Sequence, residues 1–132
     1  MYPDDVAGLV LVDPTPDDQQ FDRATSLPEF QSVPDTLAQA RASRVPAGIP
    51  VFLIDAVSPL EVPFATAAIR TLRARSRAGI EAESAGYRRW LATVPGGRLI
   101  TTDSGHNVPI EEPGLVIETI RQAVDAPRSA DR

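Results

Sequence analysis

Three short apolar runs constrain the fold of this chain more than any other feature. They are Val6 to Val12 (VAGLVLV), Ile49 to Ala56 (IPVFLIDA) and Arg98 to Thr102 within the segment Gly97 to Thr102. Turn formers bound each of them: Asp13-Pro14 and Pro16 after the first, Ser58-Pro59 after the second, Pro95-Gly96-Gly97 before the third. The runs are rich in β-branched residues and too short to cross a membrane. The first two lack the apolar/polar alternation of a half-solvated strand, so they predict strands covered on both faces, as in a parallel sheet. Helical patterns lie between and after them, at Asp35 to Arg44, Phe64 to Ser76, Glu81 to Thr93 and Glu111 to Ala126. Pro113 falls in the first turn of the last. Its predicted buried stripe is Val116, Ile117, Ile120, Ala123 and Val124. Strands alternating with helices predict an α/β fold with about three parallel strands joined by right-handed crossovers.

The 132 residues suit one domain, and 42% hydrophobic content is ordinary for a globular chain. A chain of this size buries only about two-thirds of its unfolded surface, so its stability margin is thin. The net charge of −5 argues against a nucleic-acid partner, which needs a basic surface. All thirteen basic residues are arginine, consistent with a GC-rich coding bias. There is no cysteine, which excludes disulfides and thiolate chemistry, and the single histidine argues against a zinc site. No cofactor is expected. The acidic start Met1-Tyr2-Pro3-Asp4-Asp5 has no positive n-region, so the expected compartment is the cytoplasm, with no membrane partner. Residues 127–132 read as a disordered tail.

The one histidine lies in Asp103-Ser104-Gly105-His106-Asn107-Val108-Pro109-Ile110-Glu111-Glu112-Pro113. This places His106 on a loop leaving the C-terminal end of a strand, where open α/β sheets carry their chemistry. An imidazole there reads as a general base.

In this order, the strand VAGLVLVDP, a variable excursion, the strand IPVFLIDA, a helix, the strand with its SGH loop and a last helix resemble the C-terminal half of an α/β-hydrolase. The three strands would be the family's sixth, seventh and eighth. Ser104-Gly105-His106 with Glu112-Pro113 resembles the stretch around the catalytic histidine. The resemblance implies a three-layer remnant spanning 1–126, with 15–46 as a cap-like excursion. It also implies esterase-like hydrolysis of a small ester-like substrate by a Ser-His-Asp triad, the acid preceding the histidine in the chain. The departure is the nucleophile. No Gly-x-Ser-x-Gly pentapeptide occurs in the chain; that element and the oxyanion-hole donors would precede Met1. The expectation is therefore a fragment, a mis-started reading frame or a degenerate product, inactive by itself.

The resemblance makes His106 the base and Asp13 the residue that orients it, since relatives such as haloalkane dehalogenases carry their acid at the end of the sixth strand. In most of the family the acid follows the seventh strand, and that place here is near Ser58, which is not acidic. Asp55 is the alternative acid and Glu61 a distant third; Asp13 could equally be a turn former and Asp55 a buried, backbone-bonded aspartate. Ser104 and Asn107 read as loop hydrogen-bonding residues. Trp90 reads as core, and Arg70, Arg73, Arg75 and Arg77 as a solvated helix face. Asp17, Asp18 and Asp22 lack the glycine and glutamate of a calcium loop. A different class of function is a non-catalytic binding or oligomerisation module, self-associating through the exposed edge of Val6 to Val12. A small nucleotide binder is disfavoured, because no strand runs into a Gly-rich phosphate loop. A sheet remnant with a bare face or edge is expected to be weakly stable and to oligomerise.

Overall fold

The computed structural model describes residues 5–14, 35, 38–39, 42–58 and 77–126. Their elements are β1 (Leu9–Val12), β2 (Val51–Ala56), α1 (Arg77–Leu91), β3 (Arg98–Thr102), α2 (Val108–Glu111) and α3 (Pro113–Asp125). The three strands form one parallel sheet in the order β1-β2-β3. Leu9 is level with Val51, and Phe52 with Arg98. With helices on the strands' two faces, this is an α/β arrangement.

The central strand explains its own sequence. Every residue of β2 is buried, and its side chains alternate between two apolar clusters. Val51 and Leu53, with Ile49, pack against Tyr87, Leu91 and Val94 of α1 and the turn after it; Trp90 packs against the same cluster. Ile54 and Ala56 meet Val108 of α2, with Leu115 and Val116 of α3 beside them. A strand covered on both sides gains nothing from alternation, hence the continuous VFLI run.

Several boundaries differ from the sequence expectation, each for a local reason. The first two strands begin at Leu9 and Val51 rather than Val6 and Ile49. Leu9 N–H donates to the Pro50 carbonyl, but Pro50 has no N–H to return, and the ladder stops there. The expected helix Glu111 to Ala126 is two helices, α2 and α3. They break at Glu112, held at φ −133° and ψ 62°, because Pro113 disfavours helical geometry in the residue before it. The helix expected over Glu81 to Thr93 spans Arg77–Leu91. Its buried side is Ile80, Ser84, Tyr87 and Leu91, whereas Ala85 and Trp90 are half-buried.

The expected stripe on the last helix is the largest correction. Thr119 and Ala123 are buried and Leu115 and Val116 half-buried, but Ile117, Ile120 and Val124 are exposed. The apolar arc of α3 is wider than its contact with the sheet. Part of the choice lies at Gly8, where a Cβ would meet Pro50 Cγ at 3.1 Å and the Ala123 carbonyl at 3.3 Å. A glycine just before β1 thus lets the Ala123 side of α3 come close. Thr119 tolerates burial because its hydroxyl donates to the Leu115 carbonyl at 2.8 Å.

The helix expected over Phe64 to Ser76, most of the excursion 15–46 and the tail 127–132 lie outside the described residues. Residues 35, 38, 39 and 42, within the helix expected over Asp35 to Arg44, are helical. Among the described residues no helix is long and apolar enough to cross a membrane.

Candidate active site

Parallel strands end at the same edge of a sheet, so the loops after β1, β2 and β3 converge. Asp13 follows β1 directly. Its backbone is left-handed, at φ 41°, a conformation that aspartate tolerates better than most residues. Its N–H donates to the Ile54 carbonyl at 2.8 Å, continuing the ladder by one bond. The turn there lays the carboxylate over the end of β2, where Oδ1 accepts the Ala56 N–H at 3.3 Å. The Asp13 side chain is fully buried. Next to it, the Tyr87 hydroxyl donates to the Pro14 carbonyl and ties the turn to α1.

His106 comes to this carboxylate from the loop after β3. Nδ1 lies 2.6 Å from Asp13 Oδ2. An ionised carboxylate can only accept, so Nδ1 carries the proton in this bond. In the neutral ring Nε2 then holds a lone pair, and the side chain is 60% exposed, so that lone pair can be reached from solvent. Chemically, such a pair can serve as a base whose tautomer is set by a buried acid.

The loop that delivers His106 is anchored on both sides. Ser58, just after β2, donates its N–H to the Ser104 carbonyl at 3.2 Å. Ser104 is buried, and its hydroxyl donates to the Gly105 carbonyl. The Asn107 carbonyl accepts the N–H groups of Ile110 and Glu111, which starts α2. Val108 is completely buried.

Asp55 does not join this pair. It is fully buried, and its Oδ2 accepts the Ser84 hydroxyl of α1 at 2.6 Å. Among the described residues its Oδ1 has no hydrogen-bond partner. Of the two carboxylates proposed to orient His106, the structure therefore brings Asp13 to the imidazole and leaves Asp55 with α1. Glu61, Asp17, Asp18, Asp22, Arg70, Arg73 and Arg75 lie outside the described residues; Arg77 is exposed at the start of α1. Among the described residues, no three His, Asp or Glu side chains gather as a metal ion would require.

Three contributors to the site were not singled out from sequence. Ser84 is one, because it holds Asp55 away from the imidazole; a small hydroxyl residue between Ile80 and Tyr87 on the buried side of α1 signals a buried partner. The others are Thr102 and Glu111. Thr102 Oγ1 donates to Glu112 Oε1 at 2.6 Å, and Glu111 Oε2 accepts the Gly105 N–H at 2.7 Å. No local pattern marks which groups the two carboxylates reach, the Thr102 hydroxyl for Glu112 and the Gly105 N–H for Glu111.

Compared with known proteins, the chain matches no family model, no curated protein and no solved structure at a significant level.

Proposed function

We propose that this chain supplies the acid–base half of a serine hydrolase of the α/β-hydrolase type, acting on a small ester-like substrate. His106 Nε2 takes the proton of a serine hydroxyl as that oxygen attacks the substrate carbonyl. The Asp13 carboxylate holds the ring and stabilises the imidazolium that forms. The imidazolium then returns its proton to the leaving oxygen. The serine, in a Gly-x-Ser-x-Gly element, and the oxyanion donors, one after that serine and one after an earlier strand, are supplied from outside these 132 residues. The observation that carries the reading is the 2.6 Å bond between Nδ1 and a fully buried carboxylate at the C-terminal edge of the sheet. The order of three adjacent parallel strands, with the acid after the first and histidine after the last, also supports it.

The test uses protein recovered from its native host and a fluorophosphonate probe, which reacts with activated serines. The reading expects a labelled serine in a Gly-x-Ser-x-Gly peptide that co-purifies with the His106 peptide. His106→Ala should slow labelling by about 100-fold or more. No labelling, or labelling untouched by His106→Ala, overturns it.

A second reading has its own observation. Leu9 and Asp13 donate toward β2, so the N–H groups of Val10 and Val12 point to the other side of β1, where no strand pairs among the described residues. The four residues of β1 are apolar yet only half-buried. An apolar edge without charges or a bulge is a pairing surface. Under this reading a second copy pairs there, and the chain is an assembly module. Monomeric behaviour in sedimentation across a wide concentration range excludes it.

A further inference from the structure

The hydrogen bond between Glu111 and Gly105 does more than close a loop. We propose that Glu111 is a positioning residue for His106: its carboxylate grips the backbone beside the imidazole and keeps Nδ1 facing Asp13. The proposal rests on the reading of His106 as a base held by Asp13.

Glu111 Oε2 accepts the Gly105 N–H at 2.7 Å. The contact is tight. A Cβ on residue 105 would lie 2.9 Å from Glu111 Oε1 and 3.3 Å from Oε2. Glycine at 105 is therefore what lets the carboxylate lie against the chain. It also brings the widest backbone freedom to the residue just before the histidine. Some other contact must remove that freedom, because the imidazole is 60% exposed and its own packing does not. Glu111 does so from the end of α2, whose first residue, Val108, is fully buried. The segment 105–111 thus forms a ring, closed by a charge-assisted bond and pinned to the core at Val108, with His106 inside it. The neighbouring carboxylate anchors the other side. Glu112 accepts from Thr102, and Thr102 Oγ1 accepts the Ser104 N–H at 3.3 Å. Two successive acidic residues therefore hold the two ends of the turn that presents His106. Neither touches the imidazole, so each acts through the backbone.

Because the chain has one histidine, its imidazole nitrogens can be read without ambiguity by long-range proton–nitrogen correlation NMR. The experiment compares the 132-residue protein with Glu111→Gln, Glu111→Ala and Gly105→Ala at a pH where the ring is neutral. The wild type is expected to show the Nδ1–H tautomer. Glu111→Gln keeps an acceptor for the Gly105 N–H and should retain that signature. Glu111→Ala should lower the ratio of Nδ1–H to Nε2–H by about tenfold, the worth of one hydrogen bond, with amide signals of the sheet unchanged. Gly105→Ala, which displaces the carboxylate sterically, should reproduce the effect if Glu111→Ala fails to fold. A wild-type signature in both Glu111→Ala and Gly105→Ala overturns the proposal, as does global unfolding of both. A wild type lacking the Nδ1–H tautomer instead refutes the His106–Asp13 base itself, so the two failures are distinguishable.

Discussion

Ser84→Ala should be among the costliest single-atom deletions in this protein. Asp55 is fully buried in the central strand, one of its oxygens has no hydrogen-bond partner among the described residues, and the other accepts the Ser84 hydroxyl at 2.6 Å. A hydrogen bond to a charged group contributes about 1.5–3 kcal/mol. Its loss also leaves a buried carboxylate with neither oxygen satisfied by that serine, so the cost should fall at the upper end, about 3 kcal/mol. For a chain of this length that is a fall in Tm of roughly 10 °C. Removing the carboxylate as well should reverse the effect. The double variant Asp55→Val with Ser84→Ala puts a β-branched residue in a strand and leaves no buried polar group behind. It should match or exceed wild-type stability, as apolar replacement of both partners in a buried pair often does. Urea denaturation followed by circular dichroism measures both. A cost below about 0.5 kcal/mol for Ser84→Ala, or a double variant less stable than Ser84→Ala alone, would falsify the argument. The same double variant bears on the site. Asp55 does not contact His106, so the imidazole signal should be unchanged; a changed tautomer would make Asp55 part of the base after all.

Three further outcomes are expected. Asp13→Asn suits the left-handed backbone and keeps an oxygen for the Ala56 N–H, but turns an amide N–H₂ toward Nδ1; the ring proton should move to Nε2 in the NMR spectrum, and probe labelling of the catalytically complete protein should slow by roughly four orders of magnitude. Gly96→Ala should cost about 1–2 kcal/mol in urea denaturation through backbone strain alone, because φ is 77° and a Cβ there meets nothing within 4 Å; no measurable cost would contradict it. Ile120→Asp on α3, where Ile120 is 47% exposed, should change stability by less than about 0.5 kcal/mol, and a larger loss would mean that this face is covered.

Much of the site could be read from sequence because its members sit at strand ends. The apolar runs locate the strands, parallel strands share one edge, and Asp13 and His106 follow the first and last of them. The choice between Asp13 and Asp55 could not be read this way. Both are aspartates at the ends of apolar runs, with comparable local patterns. The two are level in the register, and what separates them is the left-handed turn of the backbone at Asp13. Asp55, still inside β2, projects toward α1 and meets Ser84. Asp13, just beyond β1, adopts a left-handed backbone and lays its carboxylate across the edge.

For the described strands and helices the element type was legible in the local sequence: a continuous apolar run without alternation, as in β2, is covered on two faces, and proline positions decide where ladders and helices stop. Pro50 ends the pairing of β1 with β2 and Pro113 splits the last helix, both through the missing N–H and ring sterics that any sequence context would impose. Tertiary structure alone decided which face of α3 is buried, which acid reaches the histidine, and which backbone N–H the Glu111 carboxylate holds. Those outcomes depend on how closely distant segments approach. Approach distances are set by the whole packed assembly, of which a local run of residues carries only one side.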